Sequence, residues 1–169
     1  MGEAEHGARR AEAAEWLGRL HELPDVRLRP LRVPVERLRH SAPEWLRDRA
    51  RARTDPLRHR VWELLRDPAP VGTPAAAQVP VHLPEVGRGY VLDFLFPEYG
   101  VNVQIDRWND ESPDPEDPWS EHRDGDLREA LGIQTIRYFD VWVKENLDLL
   151  ADEIRKELGL GRPPWLRIV

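Results

Sequence analysis

Hydrophobic positions follow a helical period at both ends of this chain and an alternating period in the middle. Residues 8–22, ARRAEAAEWLGRLHE, set Ala13, Trp16, Leu17 and Leu20 at helical spacing, and Pro24 closes the run. DVRLRPLRVP (25–34) reads as a short, extended, arginine-rich stretch. SAPE at 41–44 has the form of a capping box and predicts a helix running through Trp45, Leu46 and Arg49. TDP at 54–56 stops that helix and starts another, PLRHRVWELLRD, with Leu57, Val61, Leu64 and Leu65 on one side.

A Pro/Gly/Ala connector, DPAPVGTPAA (67–76), leads to a change of period. AQVPVHL (77–83) reads as an edge strand, because its proline has no N–H for a ladder. YVLDFLF (90–96) and VNVQID (101–106) predict a hairpin joined by the turn PEYG. WNDESPDPEDPW (108–119) is a polar, proline-rich loop; SEHRDGDLREALG (120–132) is a helix with Gly132 near its end; IQTIRYF (133–139) is a strand. VWVKENLDLLADEIRKELG (141–159) predicts a single amphipathic helix, with Leu147, Leu150, Ile154 and Leu158 in one stripe. The expected fold class is α/β: a small mixed sheet, antiparallel strands plus one parallel crossover strand, flanked by helices and carrying a helical N-terminal extension. The expected division is a helical, arginine-rich region at 1–66 packed on a core at 77–160, with a tail at 161–169 that adds a strand, docks on a partner or folds onto its own domain.

Composition narrows the picture. The chain has 169 residues, 40% of them apolar, and no apolar run long enough to span a bilayer. MGEAEHGARR lacks the apolar core of a signal peptide, so the expected location is the cytoplasm. There are no cysteines, which excludes disulfides and thiolate metal sites, and the six histidines show no zinc-ligand spacing. No phosphate-cradling glycine loop and no G-x-S-x-G occurs, which argues against an NTPase or a serine hydrolase. The net charge of −6 does not favour nucleic-acid binding as a whole, but it is unevenly placed. Twelve arginines stand against five acids between Arg27 and Arg66, and nine acids against two arginines between Asp106 and Asp126. This pattern fits a phosphate-binding face beside a metal- or partner-binding loop; two solvated surfaces are the plain alternative.

The hairpin carries the candidate chemistry. With PEYG as a four-residue loop, Phe96 faces Val101, Asp93 faces Gln104 and Asp106 faces Val91. Strict alternation puts Val91, Asp93 and Leu95 on one face and Leu92, Phe94 and Phe96 on the other, so Asp93, Gln104 and Asp106 gather as cross-strand neighbours. Two close carboxylates repel, and a hard divalent cation relieves that repulsion; Mg²⁺ is commonly held by one or two carboxylates plus waters and substrate phosphate oxygens. A metal-assisted phosphoester hydrolase needs such a pair, and a hydrogen-bonded polar pair on a half-solvated sheet face is the other reading.

The stretches GYVLDFLFPEYGVNVQID, HRDGDLREALGIQTIRYF and KENLDLLADEIRKEL, preceded by TDPLRHRVWELLRD, together resemble the very-short-patch-repair-like endonucleases of the restriction-endonuclease-like superfamily. The resemblance covers roughly residues 54–158. It implies a metal-dependent DNA endonuclease using Mg²⁺ or Mn²⁺, with Asp93 and Asp106 as metal ligands, Gln104 as an auxiliary ligand and His122 orienting water. Arg137 matches an arginine of the later strand. The sequence departs from the family pattern at several points. Gln104 stands in place of a glutamate, Arg107 in place of a glycine, and Arg58 about where a helix often supplies a glutamate. The histidine that usually follows the glycine is missing, and no lysine lies near the hairpin. These departures imply the alternative, a catalytically inactive nuclease-like module that binds nucleic acid or a protein.

Arg47, Arg49, Arg51, Arg53, Arg58 and Arg107 are the candidate phosphate contacts, in which case DNA is the expected partner. Arg47 and Arg51 form one helical stripe and Arg49 and Arg53 a second. The acidic loop at 108–121 is a candidate protein-binding segment, no membrane partner is expected, and the tryptophans flanking it, Trp108 and Trp119, read best as anchors tying the loop to the body. Trp62 and Trp142 read as core.

Overall fold

A computed structural model describes residues 28–108 and 120–160. The predicted helix at 8–22, most of the acidic loop with Trp119, and the tail at 161–169 lie outside the described residues. The elements in order are α1 (Val35–Ser41), α2 (Glu44–Ala52), α3 (Pro56–Leu65), β1 (Ala76–Leu83), β2 (Arg88–Phe96), β3 (Val101–Asp106), α4 (Ser120–Leu131), β4 (Gln134–Phe139), α5 (Asp140–Glu145) and α6 (Leu147–Glu157). The four strands form one mixed sheet in the order β1-β2-β3-β4. β1–β2 and β2–β3 are antiparallel, and β3–β4 is parallel. Pro80 lies on edge strand β1, where its missing N–H costs no ladder bond on the open side. None of the described helices is long and apolar enough to cross a membrane.

Apolar side chains pack on both faces of the sheet. Val61 and Leu65 of α3, with Val143, Leu150 and Ile154 of α5 and α6, cover Phe94, Phe96, Val101, Val103, Ile105, Ile136 and Tyr138. Leu38 of α1 and Leu127 of α4 join Val79, Val81, Tyr90, Leu92 and Leu95 in a second cluster. Arg155 of α6 is buried and donates to the Val71 carbonyl at 2.7 Å, which ties the connector to the core. Trp62 stacks on Phe94 and Trp142 on Tyr138, and Trp108 meets the edge of Phe139 with centroids 4.7 Å apart, so these rings anchor the body.

Local chemistry corrects three of the expected elements. SAPE is not a capping box: Ser41 is the last residue of α1, and α2 begins after Pro43 without a side-chain cap. Helix α1 itself falls where the sequence shows no marked period; burial of Leu38 and the bonds from Arg39 to the Ala77 and Gln78 carbonyls tie it to the sheet. The predicted final helix is two, α5 and α6, parted at Asn146, whose φ of −128° and ψ of 34° are not helical. Its apolar stripe survives in α6, where Leu150, Ile154 and Leu158 are buried. The start of α3 matches expectation, since Asp55 caps it by accepting from the Arg58 N–H, with Pro56 in the first turn.

Candidate functional site

The hairpin register is as the turn length predicts: Phe96 pairs with Val101, Leu95 with Asn102 and Phe94 with Val103. Beyond Phe94 the strands are bridged by side chains. The Asp93 N–H donates to Gln104 Oε1 at 3.1 Å, and the Ile105 N–H donates to Asp93 Oδ2 at 2.9 Å. Gln104 Oε1 also accepts from Asn102 Nδ2 at 3.0 Å, while Gln104 Nε2 donates to the Val91 carbonyl at 3.4 Å. Asp93, Asn102 and Gln104 are all buried.

Strict alternation fails at this point. Tyr90, Leu92 and Leu95 pack in one cluster and Phe94 and Phe96 in the other, so Leu92 and Phe94 do not share a face as expected. β1 breaks in step, with Val79 in one cluster and Ala77 against the other. Between them stands Gln78 with φ of 52°, a conformation uncommon outside glycine. Gln78 and Asp93 fall opposite each other in the register, between the pairs Ala77–Phe94 and Val79–Leu92. This shared distortion leaves Asp93 facing α2 as Val91 does, but parts it from Leu95, which packs in the cluster of Tyr90 and Leu92.

Asp93 Oδ1 accepts from Arg53 Nε at 2.7 Å and from Arg58 Nε at 3.1 Å. The side chain of Asp93 is 0% exposed, and those of Arg53 and Arg58 are 2% and 11% exposed. Arg53 caps the end of α2 and Arg58 sits in the first turns of α3. Arg58 is held further by Asp55 through Nη1 and by the Ile105 carbonyl through Nη2 at 2.8 Å. Burial works against the ionised Asp55, but the bonds and charge of Arg58 outweigh it and hold its carboxyl below the usual range. Arg53, Arg58, Trp62, Gln78 and Asp93 line a small cleft at this junction.

Asp106 meets a different pair of arginines. Its Oδ2 accepts from Arg137 Nη1 at 2.6 Å, and its Oδ1 lies 3.5 Å from Arg123 Nη2. Arg137 also binds Asp124 of α4 through Nε and Nη2, at 2.8 and 2.7 Å. Burial opposes the charge on Arg137, yet the Asp124 bonds and the charges of Asp106 and Asp124 raise its pKa above the ordinary arginine value. The structure therefore joins Asp93 to Gln104, while Asp106 keeps company with α4. His122 is exposed on α4, one turn before Asp126, and its charge helps hold the Asp126 carboxyl low, after the Tyr90 hydroxyl and Arg88.

The predicted arginines divide the same way. Arg53 and Arg58 are committed to Asp93, Arg51 pairs with Asp48, and Arg49 lies over the Trp45 ring at 5.5 Å from its centroid. Arg47 and Arg107 are exposed. Arg47 lines an open groove with Glu36, Arg37, Arg39 and His40. Arg37 and Arg39, within the arginine-rich segment 27–66 but outside the named candidates, reach this groove from α1, a helix that the sequence does not mark.

The donor set at Asp93 does not fit a divalent cation. Both carboxylate oxygens and the Gln104 carbonyl oxygen already accept from protein N–H groups, and two guanidiniums supply the positive charge a metal would bring. Among the described residues no three His, Asp or Glu side chains gather as a metal-holding group. No protein-family model matches the chain, and comparison with curated proteins finds no significant match.

Proposed function

We propose that this chain is a non-hydrolytic, nucleic-acid-binding module built on a restriction-endonuclease-like sheet. One observation carries the reading: Asp93 is buried and neutralised by Arg53 and Arg58 where hydrolysis would need it open to a cation. The carboxylate then serves as the anchor that draws the end of α2 and the start of α3 onto the broken β2–β3 ladder. The order of three antiparallel strands, helix and parallel strand supports the family resemblance, and Gln104 and Arg107 in place of a glutamate and a glycine support loss of the reaction. The basic groove between α1 and α2, with Arg37, Arg39, His40 and Arg47, is the natural track for a phosphate backbone.

The competing proposal is the metal-dependent DNA endonuclease, with Mg²⁺ or Mn²⁺ at Asp93 and Asp106. It requires Arg53 and Arg58 to give up Asp93. Plasmid incubated with either ion separates the two. The module reading expects intact plasmid, a melting temperature unmoved by the metal, and oligonucleotide binding that weakens with salt and with Arg37→Ala/Arg47→Ala. Metal-dependent nicking that disappears in an Asp93→Ala variant shown to be folded at the assay temperature establishes the endonuclease instead.

A further inference from the structure

A second basic cleft lies at the opposite end of the sheet from Asp106, beside the starts of β3 and β4. It has a volume of about 290 Å³ and is lined by Leu28, Arg29, Pro30, Arg32, Arg128, Leu131, Gly132 and Gln134. Three guanidiniums from two separate segments line it, and none of the described residues that line it is acidic. Arg29, Arg32 and Arg128 are exposed, and none of the three pairs with another described residue. Several other arginines are matched: Arg53 and Arg58 to Asp93, Arg88 to Asp126, Arg137 to Asp106 and Asp124.

The positions of these arginines are fixed by the fold. The Leu31 N–H donates to the Pro97 carbonyl at 2.7 Å, and Leu28 and Leu31 pack against the two apolar clusters. Gly100, with φ of 61°, lets the Arg29 backbone come so close that a Cβ there would lie 2.5 Å from its carbonyl oxygen. Arg128 stands in the last turn of α4, where the helix end favours a cation. That accounts for Arg128, but not for Arg29 and Arg32 beside it. Like charges held around one concavity repel unless an anion sits among them, and planar guanidinium forks match the oxygens of a phosphate.

We infer that this cleft is a phosphate-binding site, separate from Asp93 and from the α1–α2 groove, which takes a phosphoryl group borne by free phosphate or by a nucleic-acid end. The inference stands whether or not the chain hydrolyses DNA. The test titrates the full-length chain by calorimetry with inorganic phosphate, and with the same short single-stranded oligonucleotide carrying either a 5′-phosphate or a 5′-hydroxyl. Arg128→Ala and Arg32→Ala are compared with Arg60→Ala, which removes the same charge from an exposed site on α3. Matching melting temperatures establish that each variant is folded. Loss of one guanidinium contact is expected to weaken binding by about tenfold or more. Arg128→Lys, which keeps the charge but loses the fork, should fall between Arg128→Ala and the parent, while Arg60→Ala should match the parent. Phosphate binding alone identifies a small-anion site, and preference for the 5′-phosphorylated strand identifies a nucleic-acid end. If no probe binds, or if Arg128→Ala and Arg32→Ala bind as Arg60→Ala does, the inference is overturned.

Discussion

Replacing Asp93 with alanine removes an acceptor from three buried or part-buried donors: Arg53 Nε, Arg58 Nε and the Ile105 N–H. Arg58 retains Asp55 and the Ile105 carbonyl, while Arg53, whose side chain is 2% exposed, loses the 2.7 Å bond from its Nε. Breaking a buried ion pair from one side costs about 3–5 kcal/mol. That is a large part of the roughly 5–15 kcal/mol that holds a typical domain together. At about 2–4 °C per kcal/mol for a chain of this size, the melting temperature should fall by roughly 6–20 °C. Urea denaturation followed by tryptophan fluorescence measures the loss, with Trp62 on Phe94 next to the site. A companion variant, Arg53→Met/Arg58→Met/Asp93→Leu, removes all three charges and should recover most of the stability, because the penalty arises from stranded charge and not from lost attraction. Asp106→Ala should cost less than Asp93→Ala, since Asp106 is 22% exposed, its contact to Arg123 is a long 3.5 Å and Arg137 keeps Asp124. A carboxylate kept for catalysis behaves differently: its removal is often neutral or stabilising. If Asp93→Ala unfolds within about 1 kcal/mol of the parent, Asp93 is not the anchor described above and the metal-site reading regains its ground.

Gln104→Glu exchanges the Nε2 donor for an oxygen facing the Val91 carbonyl and adds charge beside Asp93, so it should lower the urea midpoint; a variant that instead gains stability on adding Mg²⁺ would count against the non-hydrolytic reading. Gly100→Ala places a Cβ against the Arg29 carbonyl at a left-handed φ, costing about 2 kcal/mol or more, and should also weaken phosphate binding by shifting Arg29. Burial and the bond to Asp126 raise the Tyr90 phenol above its ordinary pKa. The stability it contributes is therefore complete below about pH 10 and is lost as pH rises through the higher folded value. Absorbance at 295 nm should show a late-ionising phenol that Tyr90→Phe removes; ionisation of Tyr90 near pH 10 would contradict this. The same bond, with burial opposing it and Arg88 assisting, depresses Asp126, whose smaller contribution is present above about pH 4 and is lost as pH falls through the depressed value.

Much of the sheet was legible because its determinants are local. The four residues of PEYG fix the register of β2 and β3, Pro80 marks the edge, and Gly132, with φ of 69°, ends α4 before β4. What escaped the sequence depends on contacts between distant residues. α1 has no side-chain cap and is tied down by Leu38 and Arg39 against β1. The break at Asn146 leaves the apolar period of α6 intact, so the period gives no sign of it. Alternation assigned Asp93 to a face on the assumption of a regular strand, and the distortion at Gln78 and Asp93 is a joint property of two strands that neither pattern reveals.

The cluster of Asp93 and Gln104 was legible, but the guanidiniums that meet Asp93 were not. An aspartate in an apolar strand says that something cationic meets it, and a metal ion and a guanidinium satisfy that demand equally. The deciding residues lie 40 and 35 positions upstream. One local signal was present all the same. In RTDPLR, Asp55 caps α3 and its carboxylate, three residues before Arg58, holds that guanidinium through Nη1, so that Nε and Nη2 reach the hairpin at Asp93 and Ile105. Arg53 closes α2 on the other side of the same tight turn and reaches Asp93 from there. The four residues between the two arginines therefore turn the chain so that both reach one carboxylate. Arginines that flank an aspartate-capped helix start, followed by a lone aspartate in a buried strand, are better read as an internal ion-pair anchor than as half of a metal site.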